Sequence, residues 1–89
     1  MIEDPFSHSV DNPIAPAEFC FSITPDDQAE LPRATKAIYV GQGGDITLRS
    51  MRGVTDVTFT NVASGSILDV RVRAIRATGT TATDLVGLS

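Results

Sequence analysis

Several groups of residues have types and spacings that could do chemistry. Ser7-His8-Ser9 with Asp11 contains the residue types of a hydrolytic triad. That catalysis needs its side chains aimed at one another in a fixed, dry geometry, which neighbours in a proline-rich stretch do not supply. His8 is the only histidine, so no His-based metal site can be built. Asp26, Asp27 and Glu30 could gather around calcium, but they lack the alternating ligands and glycine of a calcium loop. Gly41-Gln42-Gly43-Gly44 follows a β-rich run as a phosphate cradle would. A P-loop, however, ends in Lys-Ser/Thr and enters a helix, whereas Asp45 and a second alternating run follow here, so a hairpin loop is the reading. Cys20, the single cysteine, has acidic neighbours in sequence and nothing to lower its pKa, so a packed, inert thiol is expected. No catalytic, cofactor-binding or metal-ligating set emerges, and no enzyme is expected.

The elements that would position any site divide the chain in two. All five prolines lie at or before Pro32 and all seven glycines at or after Gly41. Residues 1–32 hold seven carboxylates and no Lys or Arg. Residues 33–89 hold Arg33, Lys36, Arg49, Arg52, Arg71, Arg73 and Arg76 against four aspartates. The net charge of −4 argues against nucleic acid as a ligand, because that affinity comes mainly from neutralising phosphates. One cysteine excludes an intrachain disulfide framework, and 89 residues bury too little surface for a robust monomer, so help from partners is expected. No apolar run reaches the ~18–20 residues of a membrane span, and the acidic, proline-broken start is unlike a signal peptide. The expectation is synthesis in the cytoplasm without membrane insertion.

Residues 1–16 are expected to form an extended arm, since Pro5, Pro13 and Pro16 each bias the preceding residue away from helix. Ile2, Phe6, Val10 and Ile14 recur along it, so the arm suits draping over a partner surface whose contacts offset its ordering cost. Residues 17–89 are expected to form a single β-domain. In residues 17–23, Phe19, Phe21 and Ile23 alternate with polar positions as a half-buried strand does. Thr24 to Pro32 predicts a short helix, with Thr24 as N-cap, Pro25 in the first turn and Asp26 and Asp27 at the positive dipole end. Residues 36–40 and 45–51 predict two strands paired antiparallel through the glycine loop. Residues 54–60 predict a fourth strand and residues 82–88 a last one. Between them, residues 66–77 predict one long strand whose inverted phase calls for a β-bulge near Ala74–Ile75. Six short strands with turns between them indicate an all-β antiparallel sandwich or small barrel with one short helix.

On the long strand, Arg71 and Arg73 project from one face, with Arg49 on another strand nearby. A solvated strand face accounts for them. They would also complement an acidic partner, such as the acidic front of a neighbouring copy. Ile2, Phe6, Val10, Ile14, Arg71 and Arg73 are therefore the candidate partner-interface residues.

The run ITPDDQAELPRATKAIYVG, from Ile23 to Gly41, and the later run VTFTNVASGSILDVRVRAIRATGTTATDLVGL resemble the spike base protein family of bacterial gene transfer agents (GTAs) and related tailed phages. The resemblance covers roughly Cys20 to Leu88. It departs where members more often have proline, at Ala63 and Asp69, and at the Leu88-Ser89 end, where an aromatic is common. It implies a virion structural protein on the outer surface of a capsid head, joining a major capsid protein vertex to a spike fibre protein used in host attachment. Because an icosahedral vertex is five-fold, the resemblance implies a homo-pentamer. A carbohydrate-binding module that touches host polysaccharide is the alternative. Such modules present aromatic platforms, and this chain has no Trp, one Tyr and four Phe, three of them expected in or near the core.

Overall fold

Alternating apolar residues build two antiparallel sheets that face each other. The computed structural model describes residues 16–89 and contains seven strands: β1 (Cys20–Ile23), β2 (Ala37–Gln42), β3 (Gly44–Ser50), β4 (Val57–Val62), β5 (Ser66–Leu68), β6 (Val72–Ile75) and β7 (Thr83–Leu88). One sheet has the order β1-β7-β2-β5 and the other β4-β3-β6. The fold is an all-β sandwich.

The register sorts side chains into faces. Ile23 lies opposite Leu85, and Leu85 opposite Val40, which makes one inward row of the four-stranded sheet. Phe21, Gly87, Ile38 and Leu68 make the next, where the ring of Phe21 occupies the space above Gly87. From the other sheet, Ile46, Leu48, Val72 and Ile75 point into the same core. These are nearly all aliphatic residues with few rotamers, and full burial of each contributes about 1.5–3 kcal/mol. Thr35 is also fully buried, and its Oγ1 accepts a hydrogen bond from the Val72 N–H at 3.2 Å.

Four expectations are corrected by the structure. First, no helix forms among the described residues. Residues 26–35 instead run beside β6, where the N–H groups of Asp26, Leu31 and Thr35 donate to the carbonyls of Ile75, Arg73 and Val72. A nine-residue segment ending at a proline has little helix to gain, and spending its donors on β6 shields a sheet edge that would otherwise be open. Second, β2 and β3 do not pair. β2 bonds to β5 and β7 while β3 bonds to β4 and β6, so the glycine segment carries the chain from one sheet to the other.

Third, the expected long strand is two strands in different sheets. β5 ends at Leu68 and β6 starts at Val72, with Asp69, Val70 and Arg71 making the passage, which raises the strand count to seven. The ladder irregularity lies one residue before the expected bulge: Arg49 faces Ala74 while Ser50 faces Val72, leaving Arg73 as the extra residue. Val72 and Ile75, three apart in sequence, consequently both face the core. Fourth, Cys20 is exposed, because its phase on β1 points away from the core and nothing among the described residues covers that edge strand.

Candidate interaction surface

The carboxylates that suggested a cation site are held by the fold itself. Asp26 Oδ1 accepts from the N–H groups of Gln28 (2.7 Å) and Ala29 (2.9 Å), which makes the turn that replaces the expected helix. Those two backbone donors hold the Asp26 carboxyl below its ordinary value. Asp27 accepts from the Thr78 N–H at 2.8 Å and the Thr78 hydroxyl at 2.7 Å, tying residues 26–35 to the turn before β7. The Thr78 N–H, and after it the hydroxyl, lower the Asp27 pKa. Glu30 pairs with Arg73. Among the described residues, no group of three or more His, Cys, Asp or Glu is placed to hold a metal.

A pH test follows from Asp27. Its folded pKa is depressed, so the stability it contributes is present above the ordinary carboxylate value of 3.8 and lost as pH falls through the lower folded value. Asp27→Asn therefore lowers the melting temperature at neutral pH, and the gap to the parent closes at pH well below 3.8. Parallel thermal melts between pH 7 and pH 2.5 check this. A gap that stayed constant across that range would remove the assigned role.

The arginines go to different places. Arg73 donates to the Gly53 carbonyl at 3.0 Å as well as pairing with Glu30. Arg49 and Arg76 converge on Asp56, with Nε–Oδ1 distances of 2.9 and 3.4 Å. Solvent-facing pairs of this kind contribute only about 0–1 kcal/mol each. Arg71 lies in the passage between β5 and β6 and lines an open cavity of about 280 Å³, together with Glu18, Phe19, Arg33, Ala34, Lys36 and Ser89. Phe19 is 56% exposed, contrary to a core placement, and the Arg33 guanidinium lies 4.1 Å from its ring centroid. The stack desolvates one face of the ring and presents a cation beside it.

Two apolar patches complete the surface. On the outer face of the four-stranded sheet, Val86, Tyr39 and Ile67 form one cross-strand row, with Ile67 60% exposed. At one end of the three-stranded sheet, Met51 and Val54 in the β3–β4 connection and Val57 at the start of β4 are exposed, and the outer edge of β4 pairs with no strand among the described residues. Such a patch next to an open edge is typical of a surface that meets another protein. Candidates Arg71 and Arg73 are thus separated: Arg71 lines the cavity, and Arg73 reaches Glu30 and the Gly53 carbonyl. Ile2, Phe6, Val10 and Ile14 lie outside the described residues. Sequence reasoning missed Phe19, Arg33 and Lys36 because they converge from separate segments, and the only signal was an aromatic at the start of β1 followed by two nearby cations.

No protein-family model matches the chain, and no curated protein does. Among solved structures, it is similar to a chain of the capsid of a native GTA particle computed with C5 symmetry. The two are 40% identical, the match covers 98% of this chain and 100% of the other, and the TM-score is 0.81. End-to-end identity at that level, on the same sandwich, is shared ancestry, and the chain belongs to the family of that GTA particle capsid component.

Proposed function

We propose that the protein is the base of a head spike: five copies form a ring on the outside of a GTA-like capsid vertex and join the capsid to a fibre used in host-cell attachment. The observation that carries this reading is the full-length similarity to a chain of a native GTA capsid computed with C5 symmetry. A vertex ring needs at least two kinds of contact, one to the neighbouring copy and one to the shell or fibre. The Val86–Tyr39–Ile67 row and the Met51, Val54 and Val57 patch are two apolar surfaces of the kind such contacts use. Residues 1–16, acidic and studded with Ile2, Phe6, Val10 and Ile14, act as the arm that docks on the capsid or on the adjacent subunit.

Deleting residues 2–16 should abolish attachment to particles while the remaining domain keeps a cooperative melt. The check is the amount of the protein co-purifying with heads, read beside the mass of the isolated chain in solution. The intact protein should run at five times its 9.4 kDa chain mass. Heads decorated normally by the truncated chain would eliminate the arm's role, and a stably monomeric parent would eliminate the ring.

A further inference from the structure

Resting on the ring reading, we propose that the Phe19–Arg33 cavity is the socket for the acidic arm of the neighbouring copy, so that arms are exchanged around the assembly. Three cations line the cavity, Arg33 and Lys36 from the connection between β1 and β2 and Arg71 from the passage between β5 and β6, beside the Glu18 carboxylate. Its floor is the exposed ring of Phe19 under the Arg33 guanidinium. Ser89 Oγ, enclosed in the same wall, has no hydrogen-bond partner. The socket therefore selects a segment that is negatively charged, carries apolar side chains for the ring, and offers acceptors.

Residues 1–15 have that composition. They contain Glu3, Asp4 and Asp11, no Lys or Arg, and Phe6 between the charges. Opposite charge across a partly desolvated cavity gives both attraction and register. The root of the arm decides between the subunit's own socket and the next one. Glu18 and Phe19 line the cavity only two or three residues beyond Pro16, so an arm seated in its own socket would have to reverse at once. Pro13 and Pro16 both favour extended backbone in the residues before them, which disfavours that reversal. An extended segment of fifteen residues spans up to about 50 Å, enough to reach an adjacent subunit of this size. Head-to-tail contacts of this kind close into a ring when the rotation closes.

The test is charge exchange in the full-length chain. One variant carries E3K, D4K and D11K, and a second carries R33E and K36E, with melting curves confirming that both fold. Each alone should shift from the oligomer to the monomer mass in native mass spectrometry. Combining all five substitutions in one chain should restore the oligomer, and mixing the two single-set variants should produce species containing both. Single-set variants that assemble like the parent would overturn the socket. Restoration within one chain without mixed species would show the arm seated on its own subunit and overturn exchange, as would a monomeric parent. Head decoration separates this inference from the one beneath it. Normal decoration by the R33E/K36E chain sinks the socket alone. Oligomers that respond to charge exchange but never attach to heads sink the spike-base reading and leave the exchange standing.

Discussion

Gly43→Ala is expected to cost about 3 kcal/mol or more, enough to leave much of this small domain unfolded at 37 °C. Gly43 sits between β2 and β3 at the point where the chain leaves one sheet for the other. A methyl group there would overlap the Val62 carbonyl oxygen and stand 2.8 Å from the Ser64 nitrogen and 3.1 Å from the Ala63 carbonyl carbon. All three are backbone atoms of the end of β4 and the turn that follows it, so no side-chain rotation relieves the clash. The close approach is also bonded, since the Gly43 N–H donates to Ser64 Oγ at 2.7 Å. Gly65→Ala is the control. Gly65 has a φ of 76°, but nothing lies within 4 Å of the added methyl, so only the backbone penalty of about 1–2 kcal/mol applies. Urea titration of the two variants should rank Gly43→Ala well below Gly65→Ala. The opposite order would mean that the crossover is not packed against the β4–β5 turn.

The same crossover shows what the amino-acid order could and could not reveal. Alternation in β1, β3 and β7 is a local property, and it identified strands and inward faces because one buried face imposes a period of two. Which strands pair is not local. Gly41 to Gly44 announced a tight passage of backbone, yet a hairpin and a sheet-to-sheet crossover make the same demand on glycine. Likewise Ser66 to Ala77 alternates almost throughout because Leu68 and Val72 each face the core from different sheets, with Val70 partly buried between them. Only the break at Asp69–Arg71, which keeps the alternation, separates the two. The helix expected at Thr24–Pro32 failed for a different reason. The following N–H groups do find a side-chain acceptor, but it is Asp26 and not the expected cap Thr24, and the remaining donors are better used on the open edge of β6. The basic socket was least legible of all, because Phe19, Arg33, Lys36 and Arg71 meet only after β1, the passage beside β6 and the β5–β6 connection have been brought together.

Leu48→Ala should lower stability by about 2–5 kcal/mol, or roughly 10–30 °C in melting temperature for a domain of this size. Leu48 is 2% exposed and lies on β3, the central strand of its sheet, with Val57 of β4 opposite on one side and Ile75 of β6 on the other. Both flanking strands are held in register by the ladder, and Ile38 and Val40 close the core from the facing sheet. The cavity left by the lost methyl groups therefore collapses poorly, which places the cost toward the upper part of that range. Val57→Ala, on the residue directly opposite, removes a side chain that is largely in solvent and should change the melt of a dilute sample by less than about 1 kcal/mol. The two substitutions separate again when assembly is considered. Association adds apparent stability that grows with protein concentration. The Leu48→Ala deficit persists at every concentration, because the core is lost in monomer and ring alike. If the Val57 patch is a subunit contact, the Val57→Ala deficit is small in dilute solution and widens as the parent assembles. Melts over a hundredfold range of concentration distinguish the two behaviours. A Val57→Ala curve that tracks the parent throughout would take that patch out of the ring contacts and leave it to the shell or the fibre.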